Sequence, residues 1–218
     1  MTQQSKGKLA ETAAKETGKL DPLTTNLRYY ERHADEYIKN TESLDMRELH
    51  SAFIKYLPKH AYILDAGCGS GRDSVIFLSE GFQVTAIDAS AAMVKAAISR
   101  KVPAIQMAFQ EVSFVEKFDG IWACASLLHV PRMEIEQVLR RLYRALKVSG
   151  IIFITLKEGT GEGNSPEGRF FANYSLEEIK EYLSSVGFWQ IVFAKHTPDS
   201  KGKLWINILA RRLDSKAS

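Results

Sequence analysis

The sequence predicts an α/β fold, in which one domain is built on an open, doubly wound, mostly parallel sheet of seven strands with an antiparallel end. First, short apolar runs alternate with amphipathic segments from about residue 60 onward, which is the order of βαβ units. Second, the last two apolar runs are joined by the turn TPDSKG, which can reverse the chain. Third, the 218 residues contain neither an internal repeat nor a second apolar core, so a single domain accounts for them.

The segment before the sheet divides into a polar leader and two helices. Residues 1–22 mix lysine with glutamate and carry few apolar side chains, which predicts a disordered leader. Two amphipathic segments, 24–39 and 45–57, predict N-terminal cap helices. Asp45 is the expected N-cap of the second helix, and Pro58 ends it.

The sheet and its covering helices follow from the remaining pattern. Apolar runs predict strands at 61–67, 82–88, 103–109, 118–125, 149–157, 188–196 and 203–212. Amphipathic segments predict helices at 71–81, 90–101, 131–146 and 175–187. Ser90 and the pair Ser175 and Glu178 mark helix starts, whereas Gly81 and Gly187 mark helix ends. Right-handed crossovers between parallel strands leave an open sheet with helices on both faces.

Composition narrows the class of protein. The net charge of +3 is too small to indicate a nucleic-acid partner by itself. Two cysteines without a C-x-x-C pattern predict reduced thiols rather than a disulfide scaffold. Neither a signal peptide nor an apolar stretch of about 18 residues is present, so we expect a cytoplasmic protein without a membrane partner. The histidines show no metal-ligand spacing, and we predict no metal site.

The strongest motif is the stretch 63–74, which reads ILDAGCGSGRDS. A strand leads through three glycines, each two residues apart and beginning at Gly67, into a helix N-terminus, where doubly wound folds bind ligands. The dinucleotide fingerprint would place its third glycine at position 72, where Arg72 stands instead. The carboxylate of Asp65 at the strand end favours an ammonium group over a pyrophosphate.

The second strand ends in Asp88, about 20 residues after Gly69, which is the interval of an acidic residue that binds ribose hydroxyls. A carboxylate can accept hydrogen bonds from both hydroxyls of one ribose. A glycine turn, a ribose and a cationic amino-acid moiety together describe S-adenosylmethionine. The loop therefore predicts this cofactor, and the alternative is another nucleotide on a Rossmann-like turn.

Four stretches of the chain resemble the successive motifs of class I S-adenosylmethionine-dependent methyltransferases, namely ILDAGCGSGRDS, VTAIDAS, FDGIWACASLLHV and RALKVSGIIFITL. The resemblance covers about residues 27–212 and is nearest to small bacterial enzymes of the tellurite-resistance and ubiquinone-biosynthesis types. It implies a Rossmann-like methyltransferase domain over 23–213, with S-adenosylhomocysteine as the product. The cap helices would lie within 24–57, and the glycine-rich segment in 158–174 would be either a lid or a mobile surface loop.

The resemblance also implies the cofactor-binding residues. The glycines would face the methionine moiety, Asp65 would hold its amino group, and Asp88 would bind the ribose. Many members bind adenine through an acidic residue after the third strand, but that slot holds Ala108 here. The backbone N–H of Phe109, or the side chain of Gln110 or Glu111, would substitute. The predicted cofactor-binding residues are Tyr30, Asp65, Gly67, Cys68, Gly69, Asp88, Ala89, Met93, Phe109, Gln110 and Ser126.

His129 is the candidate catalytic residue, because it follows the fourth strand, whose end faces the transferred methyl in this family. It would act as a general base or orient the substrate, and the alternative is a structural histidine at a helix entrance. The ring of Tyr30 would attract the sulfonium cation or simply pack on the amphipathic helix. Arg47 and Arg169 are either solvated or bind an anionic substrate.

We therefore expect a methyltransferase with a small-molecule acceptor. One alternative is an RNA- or tRNA-directed enzyme, although the fourth strand is followed by ACAS and not by the [DNS]-P-P-[YFW] motif of base-amine methyltransferases. No basic, aromatic-studded stretch is present either. The other alternative binds S-adenosylmethionine without turnover. Methyl transfer by in-line displacement depends mainly on orientation, so no strict catalytic constellation is expected.

Overall fold

The computed structural model describes residues 20–214. Its main sheet has seven strands in the order β3-β2-β1-β4-β5-β9-β8. Strands β1 to β5 pair in parallel, and β9 runs antiparallel between β5 and β8. The predicted fold class is confirmed. The strands are β1 (Tyr62–Ala66), β2 (Gln83–Asp88), β3 (Ala104–Gln106), β4 (Phe118–Cys124), β5 (Leu146–Lys157), β8 (Trp189–Pro198) and β9 (Leu204–Arg212).

Helices cover both faces of the sheet. They are α1 (Pro22–Thr41), α2 (Arg47–Ile54), α3 (Arg72–Ser79), α4 (Ala91–Ser99), α5 (Arg132–Ala145) and α6 (Leu176–Val186). Short 3-10 turns occupy Phe109–Glu111 and Leu127–His129. Within residues 20–214, no helix combines the length and apolar character that crossing a membrane requires.

The glycine-rich segment after β5 contains a small hairpin that the sequence pattern did not predict. Its strands are β6 (Glu162–Asn164) and β7 (Phe170–Ala172), which pair antiparallel. Every residue of β6 is exposed, so this strand carries none of the apolar alternation by which strands are recognised.

Local capping signals set several helix ends as expected. Ser90 accepts a hydrogen bond from the backbone N–H of Met93 at 3.2 Å, and Ser175 and Glu178 form a capping box. Helix α2 differs, because Met46 occupies its cap position while Asp45 accepts from the N–H of Arg47 from one residue further out.

Helix α1 begins at Pro22, two residues before the predicted start. Asp21 accepts a hydrogen bond from the N–H of Thr24 at 3.0 Å, and a proline in the first turn needs no donor partner. The predicted disordered leader falls mainly on residues 1–19, which lie outside the described residues.

The core lies on both faces of the sheet, because successive strand residues point to opposite sides. On one face, Leu64 of β1 and Ile121 of β4 pack under α5 and α6. On the other face, Ile63 and Trp122 pack under α2 and α3, and the Trp122 ring stacks on Phe153 with centroids 4.4 Å apart. Burial on both faces explains the continuous apolar runs in the sequence. The carboxyl ends of the parallel strands remain at one open edge.

Candidate functional site

The glycine loop after β1 adopts a backbone that other residues rarely take. Gly67 and Gly69 have φ of +80° and +53°, in the left-handed region. A Cβ on Gly67 would lie 2.4 Å from the Cβ of Ser126, so this glycine permits close packing against the end of β4. A Cβ on Gly69 would meet no protein atom within 4 Å. The loop therefore turns its bare backbone at Gly69 toward open space.

That space belongs to a cavity of about 690 Å³ at the carboxyl ends of the parallel strands. The volume is in the range of small-molecule and cofactor sites. Eleven of the twelve predicted site residues line the cavity, namely Tyr30, Gly67, Cys68, Gly69, Asp88, Ala89, Met93, Phe109, Gln110, Ser126 and His129. The fold thus brings together residues from α1, from the carboxyl ends of β1 and β2, from α4 and from the two 3-10 turns.

Asp65 is the predicted site residue that does not line this cavity. It is 2% exposed, and its Oδ2 accepts a hydrogen bond from the Ser74 hydroxyl at 2.6 Å. Burial, together with the nearby charge of Asp73, raises the pKa of the Asp65 carboxyl. The structure therefore places Asp65 behind the glycine loop, where its side chain supports α3.

Asp88 joins the end of β2 to the glycine loop. Its Oδ2 accepts from the N–H of Gly69 and its Oδ1 from the N–H of Ser90, both at 2.9 Å. Burial raises the pKa of Asp88 even though these two hydrogen bonds lower it. Each carboxylate oxygen has a further lone pair that can accept from a ligand hydroxyl.

The 3-10 turn after β3 forms the wall predicted to contact adenine. Gln110 donates its side-chain amide to Glu134 at 2.7 Å, and the Glu111 carboxylate accepts from the N–H of Ala108 at 2.9 Å. Both side chains that were alternatives to the missing acidic residue are therefore engaged within the protein. The backbone amides at the start of this turn, beginning with Phe109, are left as the donors for a ring.

At the other end of the cavity, His129 makes two hydrogen bonds that define its tautomer. Its Nδ1 lies 2.9 Å from the carbonyl oxygen of Phe170, which can only accept, so Nδ1 carries the proton. Nε2 then accepts from the hydroxyl of Tyr30 at 2.8 Å. Burial is the main cause that lowers the pKa of His129 to about 4, and burial also raises the pKa of Tyr30. Both side chains are neutral at pH 7.

Helix α1 is fastened across this end of the cavity by Asn26. Its Nδ2 donates to the Phe170 carbonyl at 3.2 Å, and its Oδ1 accepts from the Phe170 N–H at 2.8 Å. A second attachment is the Glu31 carboxylate, which accepts from the Ser90 hydroxyl at 2.8 Å and from the Ala92 N–H at 3.1 Å. Helix α1 thereby contacts both β7 and the N-terminus of α4. Sequence reasoning did not identify these two side chains.

Asp73 is a buried carboxylate in the cavity wall that sequence reasoning also missed. It accepts from His50 Nε2 at 3.0 Å, from Arg72 Nε at 2.8 Å and from Trp122 Nε1 at 2.9 Å. Burial opposes its charge, but the hydrogen bonds from His50 and Arg72 outweigh it and keep the pKa of Asp73 below its usual range. Arg72 also donates to the carbonyl of Thr41 at 3.1 Å, so the cluster ties the end of α1 to α3.

The two cysteines and the two candidate arginines, Arg47 and Arg169, have different surroundings. Burial raises the pKa of Cys124 to about 12 and also raises that of Cys68, so both half-buried thiols stay protonated. Arg47 is exposed and pairs with Asp45, whereas Arg169 lines the cavity. No group of histidine, cysteine and acidic side chains in the described part of the chain could hold a metal ion.

Comparison with known proteins agrees with this architecture. Residues 63–150 match a family model described as a methyltransferase domain. YqeM of Bacillus subtilis (strain 168), which carries a methyltransferase name, is 30% identical over 104 residues, or 44% of this chain and 42% of YqeM. The match thus spans less than half the length of this relative.

Two of the solved structures with a similar fold are an enzyme of Burkholderia thailandensis and a cyclase. The 1,6-didemethyltoxoflavin-N1-methyltransferase of Burkholderia thailandensis has a TM-score of 0.71 and 24% identity, over 86% of this chain and 85% of that chain. The [4+2]-cyclase SpnF has a TM-score of 0.63 and 18% identity, over 78% of this chain and 85% of that chain. The nearer resemblance to tellurite-resistance and ubiquinone-biosynthesis types stays a prediction. Residues 63–150 therefore match a methyltransferase domain, and the fold of the chain is that of solved S-adenosylmethionine-dependent methyltransferases.

Proposed function

We propose that this protein transfers a methyl group from S-adenosylmethionine to a small-molecule acceptor. The observation that carries the proposal is the open space at Gly69 beside the Asp88 carboxylate, in a cavity that continues to the Tyr30–His129 pair. When bound, S-adenosylmethionine supplies an electrophilic methyl group on a sulfonium sulfur.

The residues present fit this cofactor. The loop leaves room at Gly69 for the methionine moiety, which a side chain would fill. The free lone pairs of Asp88 match the two ribose hydroxyls. Ala89 and the buried Met93 offer an apolar wall for the adenine, with the N–H of Phe109 as a donor. The position of Asp65 supports an indirect role, in which it holds α3 and thereby the loop.

We assign the Tyr30–His129 pair to orientation of the acceptor and not to proton abstraction. An imidazole with a pKa of about 4 holds a proton at pH 7 only at a cost of about 4 kcal/mol, so His129 would be a weak base. Its fixed tautomer instead directs the Tyr30 hydroxyl, which lies in the cavity wall. Helix α1, held by Asn26, carries Tyr30 and would thereby help to position the acceptor for in-line transfer.

A small acceptor is supported by the size of the site. Helix α1 is attached to β7 and α4 beside the cavity, and the volume there suits a small molecule next to the cofactor. The toxoflavin methyltransferase, a structural neighbour, acts on a small molecule by its name. We also propose that 23–213 is one methyltransferase domain, with α1 and α2 as its cap and 158–174 as a lid.

Two alternatives stay open within this proposal. An RNA- or tRNA-directed enzyme would bind RNA with strong salt dependence and be retained on heparin. A protein that binds the cofactor without methyl transfer is the other alternative, and the fold is shared with the cyclase SpnF. A cytoplasmic location is part of the proposal, because both cysteines are free, as in reducing compartments.

The proposal is tested in two steps. Thermal unfolding is measured with S-adenosylhomocysteine, S-adenosylmethionine, NAD and NADP, and we expect only the first two to stabilise the protein. Formation of S-adenosylhomocysteine is then followed with a panel of small acceptors and with bulk tRNA. Stabilisation by NAD alone would refute the cofactor assignment. Binding without product formation for any acceptor would favour the non-catalytic alternative.

A further inference from the structure

Two partly buried cationic side chains in the cavity wall are without a carboxylate partner, whereas the unpaired Lys201 and Lys203 are exposed. Lys157 at the end of β5 and Arg169 before β7 both line the cavity, and neither forms an ion pair with any residue of 20–214. The Nε of Arg169 is buried and has no hydrogen-bond partner in that range. An unpartnered buried guanidinium nitrogen is costly unless a ligand satisfies it.

Phe171 brings the two cations together. Lys157 Nζ lies 3.7 Å from its ring centroid, and Arg169 Cζ lies 5.0 Å from it. The same ring is 5.0 Å from the ring of His129, so the two charges stand at the Tyr30–His129 end of the cavity and not at the glycine loop. Burial and the charge of Arg169 lower the pKa of Lys157, which is the sign expected for like charges held close together.

The carboxylates whose charge acts on Lys157 form no ion pair with it. Asp199 and Glu167 influence its charge less than burial, Arg169 and Lys203 do. The oxygens of Asp199 accept from the backbone N–H groups of Lys201 and Lys203 and from the Trp205 indole. Glu167 is exposed and does not line the cavity, so a ligand anion is the partner of suitable charge within it.

We infer that the methyl acceptor carries an anionic group, a carboxylate or a phosphate, which Arg169 and Lys157 bind beside Phe171. This inference rests on the proposed function, because it assigns that end of the cavity to the acceptor. A guanidinium binds both kinds of oxyanion through paired hydrogen bonds, and the ammonium adds a point charge. Contact with the anion places the acceptor next to the Tyr30 hydroxyl. It also selects against neutral molecules of the same shape.

The test uses the full chain saturated with S-adenosylhomocysteine. Inorganic phosphate and sodium benzoate are titrated separately at ionic strength held constant with potassium chloride, and thermal unfolding and calorimetry report binding. We expect saturable binding of at least one probe, weakened at least about tenfold in R169Q and in K157Q and partly restored in R169K. The exposed Arg140, which pairs with Glu136 on α5, provides the matched control R140Q with unchanged binding.

The two probes distinguish a phosphate from a carboxylate on the acceptor. Binding of phosphate alone indicates a phosphate-bearing acceptor, and binding of benzoate alone indicates a carboxylate. The inference is overturned if neither probe binds the wild-type protein saturably, or if R169Q and K157Q bind the probes as tightly as wild type. Stabilisation by S-adenosylhomocysteine, measured in the same samples, reports separately on the proposed function.

Discussion

Replacing Asp88 with asparagine tests the proposed ribose contact with little change of shape. In the wild type, both carboxylate oxygens accept backbone N–H groups at 2.9 Å, from Gly69 and from Ser90. An asparagine has one oxygen and one NH2 group, so one of these N–H groups would face a donor in either orientation of the amide. The bound cofactor would then face a neutral amide with one acceptor oxygen in place of a charged carboxylate with two.

The expected size of the effect follows from these contacts. A hydrogen bond to a charged acceptor contributes about 1.5–3 kcal/mol, so weakening two of them costs about 3 kcal/mol, or about 150-fold in the affinity for S-adenosylhomocysteine. The free energy of unfolding should change by only about 1 kcal/mol. Burial raises the pKa of Asp88, which means that the fold disfavours its negative charge. A neutral asparagine removes that cost, and this gain offsets part of the stability lost with the hydrogen bonds.

Calorimetric titration with S-adenosylhomocysteine measures the affinity, and urea unfolding measures the stability. The matched control is Asp119→Asn, since Asp119 likewise accepts a backbone N–H, from Tyr62 at 2.8 Å, but is at the start of β4, outside the cavity wall. The control should bind like wild type. An Asp88→Asn protein whose dissociation constant stays within about threefold of wild type would refute the ribose assignment.

Three further predictions concern the loop, the clamp and the histidine. Gly69→Ala should weaken S-adenosylhomocysteine binding more than it lowers stability, which calorimetry and urea unfolding compare, because its Cβ meets only the cavity space and its φ of +53° costs about 1 kcal/mol. Asn26→Ala should lower the free energy of unfolding by about 2 kcal/mol and speed proteolysis in α1, because the buried Phe170 N–H loses its partner; an unchanged urea midpoint would contradict this. Between pH 7.5 and pH 5, wild type should lose about 2 kcal/mol more stability than His129→Gln, measured by urea unfolding at each pH. The sign follows because the folded-state pKa of about 4 is below the ordinary 6.5, so the unfolded chain takes up the proton first as pH falls. If the stabilities of wild type and His129→Gln changed in parallel with pH, a buried neutral His129 would be excluded.

Most of the cofactor half of the site could be predicted, because its signals are local in the chain. The glycine loop, Asp88 and the Ser90 cap each depend on a strand end and the turn that follows it, and parallel strands bring their carboxyl ends to one edge. The position of Asp65 is different, because the direction of its side chain depends on Ser74 in the next helix and on the buried Asp73 beside it.

The acceptor half was harder to predict, because its contacts join distant parts of the chain. Tyr30 and His129 were each selected as candidates, but their hydrogen bond spans 99 residues and has no periodic signal. The Asn26 clamp spans 144 residues and is made with β7, a three-residue strand that the sequence pattern did not predict. Lys157 and Arg169 are brought to the same aromatic ring, that of Phe171, only by the tertiary structure.

By itself, the sequence determined the fold class, the order of the elements and the position of the glycine loop, because hydrophobic periodicity and glycine geometry are properties of short segments. The tertiary structure decided which side chains face the cavity, which carboxylate lies behind the loop, and which cations lack a partner. These depend on packing and burial between segments far apart in the chain, and burial also sets the protonation of His129.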